Sequence, residues 1–249
     1  MNTTKESNVS AFSDLILNPT LLNVLTANKW LHPTPIQAQA IPLILQGKDI
    51  LGIAQTGTGK TLAFGIPIVN SLQESSAEAS RPKNGLKRGS FPDSGGNALI
   101  LVPTRELARQ VADTMQVICQ RFHMHTCLLI GGASMRAQQQ NLRNGPHIII
   151  ATPGRLIDHL RQNTVSLNRV KYLVLDEADR MLDMGFKPQI EKILTAVPVQ
   201  RQTMLFSATM PEEIRQITRQ YMQSPATVEI APAGTVVQSV EQSLYIVRR

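Results

Sequence analysis

Asp49-Ile50-Leu51-Gly52-Ile53-Ala54-Gln55-Thr56-Gly57-Thr58-Gly59-Lys60-Thr61 passes from an apolar strand through a glycine-rich loop into a helical pattern. Far downstream, Val174-Leu175-Asp176-Glu177-Ala178-Asp179 closes a second apolar strand in acids. Gly57 and Gly59 let backbone amides approach a chain of phosphates, and the start of the next helix adds its own free N–H groups. Ala54, Gln55, Thr56, Gly57, Thr58 and Gly59 are the expected cradle. Lys60 is expected to reach the β- and γ-phosphates, and the Thr61 hydroxyl to ligate Mg²⁺. Asp176 stands where an acid holds the same ion, directly or through water. Glu177 is placed to orient and deprotonate an attacking water. A glycine-rich surface turn and a solvated acidic turn are the plain alternatives. Either motif alone is only moderately specific; the pair points to hydrolysis of a nucleoside triphosphate.

Outward from these two stretches, short apolar runs alternate with helical patterns. Strands are expected over 49–54, 98–102, 126–130, 147–151, 172–175, 203–206 and 227–230. Their continuous Ile, Leu and Val content suits strands covered on both faces. Helices are expected near 36–46, 60–73, 105–121, 154–161, 187–196 and 211–222. This alternation predicts an α/β fold, a mostly parallel sheet with helices on both faces and right-handed crossovers. Ligands of such sheets bind beyond the carboxyl ends of the strands. The glycine loop, the Asp176-Glu177 pair and Ser207-Ala208-Thr209 all fall at such ends, so they are expected to converge on one sheet edge. A leading helical region, marked by Phe12, Leu15, Leu21, Leu22 and Leu25, ends near Asn28. Residues 74–97 break the pattern with Ser, Gly, Pro and mixed charge and read as an exposed, flexible insertion. A basic arm carrying Arg81, Lys83, Lys87 and Arg88 is the alternative reading of that segment.

The composition, 42% hydrophobic and 17% charged over 249 residues, is that of a globular chain rather than a disordered one. A net charge of +7 favours polyanionic partners without proving one. Two cysteines, Cys119 and Cys127, imply no disulfide framework, and with His123 and His125 they match no zinc spacing. The polar N-terminus has no apolar signal region and no run reaches membrane-span length, so a cytoplasmic location without membrane contact is expected.

Further segments follow in a recognisable order. Pro33-Thr34-Pro35-Ile36-Gln37 lies downstream of Phe12 and Trp30; Pro103-Thr104-Arg105-Glu106-Leu107-Ala108, Gly131-Gly132, Thr152-Pro153-Gly154-Arg155 and Ser207-Ala208-Thr209 come later. With the glycine loop and Asp176-Glu177-Ala178-Asp179, this series resembles the DEAD-box ATP-dependent RNA helicases from Phe12 to about Ile230. Ala54 stands where the generic phosphate loop has Gly, and Ala is usual in that family. The stretch Met181-Leu182-Asp183-Met184-Gly185-Phe186 resembles its bacterial RhlE-like branch.

The resemblance implies a RecA-like P-loop NTPase domain over 35–231, a flanking helical region over 1–34, and the start of a linker over 232–249. It implies ATP and Mg²⁺ as cofactors. The Gln37 amide, one donor and one acceptor, fits adenine rather than guanine, with Phe12 or Trp30 stacking on or packing beside the base. Trp30 stands where the family often has Tyr or Phe, and Lys29 where it often has Gly. Pro103, Thr104, Arg105, Gly131, Gly132, Thr152, Gly154 and Arg155 are implied to hold single-stranded or duplex RNA by its phosphates and sugars, without reading sequence. The same residues read equally as helix caps. Ser207 and Thr209 are implied to couple the two sites by hydrogen bonding Asp179 through their hydroxyls. A second RecA-like domain, bearing arginine fingers, is expected to be missing beyond Arg248-Arg249, leaving a monomeric half-enzyme with slow turnover. Two rivals remain open: a nucleic-acid-binding module with a switch-like nucleotide site, and a different P-loop NTPase such as a DNA translocase.

Overall fold

The computed structural model describes residues 9–15, 17–78 and 95–230. Seven strands form one all-parallel sheet: β1 (Ile50–Ile53), β2 (Ala98–Leu101), β3 (Thr126–Leu129), β4 (Ile148–Ala151), β5 (Tyr172–Leu175), β6 (Gln202–Ser207) and β7 (Ala226–Glu229). Their spatial order is β3-β4-β2-β5-β6-β1-β7. All seven expected strands are present, each within a residue or two of its expected bounds. The helices are α1 (Pro19–Ala27), α2 (Pro35–Leu45), α3 (Lys60–Glu78), α4 (Arg105–Cys119), α5 (Met135–Arg143), α6 (Pro153–Arg161), α7 (Ala178–Asp183), α8 (Lys187–Ala196) and α9 (Glu212–Tyr221).

Successive strand residues point to opposite faces, and the core divides accordingly. Ile50, Ile100, Ile148, Ile150, Val174, Met204 and Phe206 pack under α1 to α4. Leu51, Leu99, Leu101, Ile149, Leu173, Leu175 and Leu205 pack under α6 to α9. Each such side chain, fully buried, favours the folded state by roughly 1.5–3 kcal/mol. Covering on both faces explains the unbroken apolar runs. Phe12, Leu15, Leu17, Leu21 and Leu25 belong to the first of these layers, so the leading region is packed into the same core. The buried Asn70 side chain on α3 fastens it by accepting a 2.7 Å hydrogen bond from the Asn18 N–H.

Two helices escaped the sequence reading. Among its buried residues α5 has one apolar side chain, Leu142, beside Gln138, so it lacks an apolar stripe. The other, α7, has six residues, too few to show periodicity. Of the segment read as an insertion, 74–78 are the end of α3. Residues 79–94, with the alternative basic arm, lie outside the described residues, as does the expected linker over 232–249. Asn97 is fixed in the sheet: its N–H donates to His147 O, and its carbonyl accepts from Lys171 and Tyr172.

The register sets up the site. Ile53 is level with Ser207, Leu205 with Leu175, Leu175 with Leu101, and Leu101 with Ala151, which is level with Leu129. The loops that follow all these strands therefore open on one edge, as the alternation predicted.

Candidate nucleotide and nucleic-acid site

β1 delivers the chain to the glycine loop, where the Ala54 N–H donates to Ser207 O at 3.0 Å. Gly57 and Gly59 have φ of 85° and 92°, left-handed values that glycine adopts without a Cβ penalty. The loop then turns into α3, whose first residue is Lys60. Its ammonium is 6% exposed, donates to Ala54 O at 3.2 Å, and lies 3.8 Å from Asp176 Oδ1. Thr61 is half-buried on the first turn of α3, while Gln55 and Thr56 are exposed in the loop.

Gln37 is buried on the first turn of α2. Its Oε1 accepts from the Thr34 N–H and its Nε2 donates to Gly59 O, both at 2.9 Å. A Cβ on Gly59 would run into this amide. Gln37 thus caps its own helix and braces the phosphate loop; each amide group retains capacity for one further partner. Phe12 is 3% exposed within the core, so it packs rather than offering an open ring face. Trp30 is half-buried against the same layer. The preceding Lys29 adopts φ 60°, which accounts for the Gly common at that place in the family it resembles.

At the end of β5 the two acids sit in different surroundings. Asp176 is 2% exposed and its Oδ1 accepts the Glu177 N–H at 3.0 Å. Burial pushes its pKa up to about 6, against the opposing pull of Lys60. Glu177 is a non-glycine residue in the left-handed region, φ 51° and ψ 51°. Such conformations cost on the order of 1–3 kcal/mol and cluster at functional sites. Glu177 Oε1 accepts from Thr56 Oγ1 at 3.0 Å, and Oε2 from Arg180 Nη1 at 3.2 Å. The sequence reading named Thr56 only as part of the phosphate cradle and passed over Arg180, although Arg180 stands at the i, i+3 spacing that brings helical neighbours together.

The motif at the end of β6 departs from expectation in one atom. Asp179 Oδ2 accepts from Ala208 N, Thr209 N and Thr209 Oγ1 at 3.2, 2.9 and 2.8 Å. Ser207 was expected to contribute its hydroxyl as well. Instead Ser207 is fully buried at the strand end and its Oγ has no hydrogen-bond partner among the described residues. The second donor is the backbone of Ala208, because Ser207 is still in the strand and turned inward.

Along the other half of the edge, Pro103 is buried and Thr104 caps α4, its Oγ1 accepting from Leu107 N at 3.2 Å. Arg105 is exposed at the start of α4 and lies over Gly131 and Gly132; a Cβ on Gly132, where φ is 77°, would collide with its guanidinium. Arg155 Nη1 donates to Ala133 O at 3.1 Å. Thr152 begins α6 but makes no side-chain cap, and Gly154 stands beside Phe186. Of the eight residues expected to meet nucleic acid, Arg105, Gly131, Gly132 and Arg155 are drawn together, Thr104, Thr152 and Gly154 sit at neighbouring helix starts, and Pro103 is enclosed. Cys119 and Cys127 are buried free thiols whose pKa values burial pushes up to about 12, and no group of three or more potential metal-ligating side chains occurs among the described residues. Nor is any helix there long and apolar enough to cross a membrane.

A parallel sheet with a glycine phosphate loop after β1 and an acid pair after β5 defines a RecA-like P-loop NTPase domain. The DEAD/DEAH box helicase family model matches residues 34–217, and the chain belongs to that family. It is 41% identical to the ATP-dependent rRNA helicase RRP3 of Debaryomyces hansenii over 98% of this chain and 48% of that protein. It is 42% identical to the ATP-dependent RNA helicase CshA of Limosilactobacillus reuteri, over 95% of this chain and 44% of that protein. A solved DEAD box protein from the hyperthermophile Methanococcus jannaschii superposes with a TM-score of 0.77 at 36% identity, covering 88% of this chain and 56% of that one. The chain therefore spans about half the length of the relatives it matches.

Proposed function

We propose that this chain is the ATP- and RNA-binding half of a DEAD-box RNA helicase, coupling ATP hydrolysis to RNA unwinding or remodelling when joined to a second RecA-like domain. The observation that carries the reading is the convergence of Lys60, Asp176 and Glu177 on the glycine loop, with Lys60 3.8 Å from Asp176 and Thr56 3.0 Å from Glu177. In this reading Lys60 exchanges its Ala54 carbonyl for phosphate oxygens, and Gln37 meets adenine with its remaining donor and acceptor. Asp176 and Thr61 fit Mg²⁺: both present oxygen, and the ion is commonly held by one or two carboxylates plus substrate phosphates. When bound, the ion would neutralise charge on those phosphates. Glu177 orients the attacking water and takes its proton, once released by Thr56. Arg105, Arg155 and the turns at Gly131 and Thr152 grip RNA by its backbone.

The relatives' greater length supports a second domain, where an arginine finger would contribute about 10³–10⁵ in turnover. We place the protein in the cytoplasm as a monomer. The test is ATP turnover by the purified chain with and without single-stranded RNA, with Lys60→Ala as control for contaminating ATPases. Near-background rates in both conditions, with measurable nucleotide and RNA binding, support a half-enzyme. RNA-stimulated turnover that disappears in Lys60→Ala would mean that this domain assembles a working site without a partner domain, and loss of both binding activities would overturn the reading altogether.

A further inference from the structure

A polar network is sealed under the nucleic-acid half of the edge, and neither the nucleotide chemistry nor the exposed contacts use it. His159 on α6 is 0% exposed. Its Nδ1 lies 2.8 Å from Thr164 Oγ1 and its Nε2 3.1 Å from Gln138 Oε1. Gln138 on α5 is 4% exposed, and its Nε2 donates to Ile130 O at 2.9 Å. With the amide nitrogen committed to Ile130, Gln138 Oε1 can only accept, so His159 Nε2 carries the proton and donates it. Nδ1 then faces the Thr164 hydroxyl, which also donates to the His159 carbonyl at 3.1 Å. Burial and the neighbouring Arg155 push the histidine pKa down to about 4, which keeps the ring neutral.

Ile130 immediately precedes Gly131-Gly132. The turn is held at Ile130 O by Gln138 from inside, at Ala133 O by Arg155 from α6, and over its glycines by Arg105. Arg155 and His159 are four residues apart on α6, so they share one face of it. That helix therefore holds both ends of the turn: Arg155 directly, His159 through Gln138. Apolar side chains would fill this volume without the desolvation cost of three polar groups. What they could not do is fix the direction of the Ile130 carbonyl.

We infer that His159 and Gln138 are positioning residues for nucleic-acid binding, locking the Gly131-Gly132 turn to the Thr152–Arg155 turn so that one backbone meets both at a set spacing. This rests on the RNA reading proposed above. Phosphate contacts depend on such spacing rather than on base identity.

The test compares His159→Phe, Gln138→Met and His159→Gln with the unaltered chain, using a labelled single-stranded RNA at fixed salt and, separately, a fluorescent ATP analogue. His159→Phe and Gln138→Met should each weaken RNA binding about tenfold, a loss of about 1.4 kcal/mol, equally for different sequences and with nucleotide affinity unchanged. His159→Gln, which keeps an N–H aimed at Gln138, should restore most of the RNA affinity. Should His159→Phe fail to fold, Gln138→Met carries the same readings. Unchanged RNA affinity in a folded variant, parallel loss of RNA and nucleotide binding, or failure of His159→Gln to rescue would overturn the inference. Absence of RNA binding by the unaltered chain would instead bring down the proposed function and this inference with it.

Discussion

At the scale of single residues, Glu177 holds a left-handed conformation that glycine would adopt more easily, and it spends both carboxylate oxygens on Thr56 and Arg180. A side chain kept at such a cost invites a catalytic explanation. Glu177→Gln retains shape and hydrogen-bonding reach but is no base. It should leave ATP affinity close to wild type while lowering turnover, measured with RNA and any second domain present, by roughly 10²–10⁴-fold. Asp179 offers a second test. Thr209→Val deletes one of the three donors to Oδ2 and leaves the two backbone donors in place. Its stability cost should be about 1 kcal/mol by denaturant titration. Its larger effect should be a weaker RNA stimulation of turnover at unchanged ATP affinity; an unaltered response to RNA would remove Thr209 from the coupling path.

At the scale of elements, the glycine doublet matters for what sits on it. Ala at position 132 would both strain a φ of 77° and push into the Arg105 guanidinium. Gly132→Ala should therefore lower RNA affinity several-fold by displacing Arg105, and lower stability by about 1 kcal/mol or more through the left-handed strain, with ATP binding preserved. The packing of α6 on α5 should also respond to pH. His159 titrates near 4 in the folded protein and near 6.5 when unfolded. Between those values the unfolded chain binds more protons, so stability rises with pH across the window and this contribution is lost as pH falls through it. Denaturant midpoints measured near pH 7 and near pH 5 should drop more in the unaltered chain than in His159→Gln, which has nothing to titrate there. Recognition of these elements from sequence was uneven for a physical reason. Strands buried on both faces declare themselves as apolar runs, whereas α5 turns the polar Gln138 inward beside Leu142, so its inner face does not read as apolar.

At the scale of the whole molecule, the β6-β1-β7 side of the sheet is pinned by Asp49, a residue that the sequence reading used only as the first position of a strand. It is 6% exposed; Oδ1 accepts from Thr203 N at 2.8 Å and Oδ2 from Gln223 N at 2.7 Å. Its own carbonyl accepts from Ala226 N at 2.8 Å. One side chain thus joins the start of β6 and the approach to β7 to the strand that carries the phosphate loop. Asp49→Ala leaves the buried Thr203 N–H and the part-buried Gln223 N–H unpaired and should destabilise the fold by roughly 1–3 kcal/mol in urea titration, far from any nucleotide contact.

Sequence alone determined the strands and their mostly parallel arrangement, the expectation that several loops share one edge, and the proposed roles of Lys60, Asp176 and Glu177, because glycine loops, apolar runs and terminal acids are local patterns. It also supplied the Arg105, Gly131, Gly132 and Arg155 set, through motif order rather than contact. Only the tertiary structure decided which groups meet: Gln37 on the carbonyl of Gly59, Thr56 on Glu177, Ala208 rather than Ser207 on Asp179, and His159 behind Ile130. Each of these joins residues from separate elements through directed hydrogen bonds. Such partnerships depend on register and side-chain orientation across the fold, which no local spacing encodes.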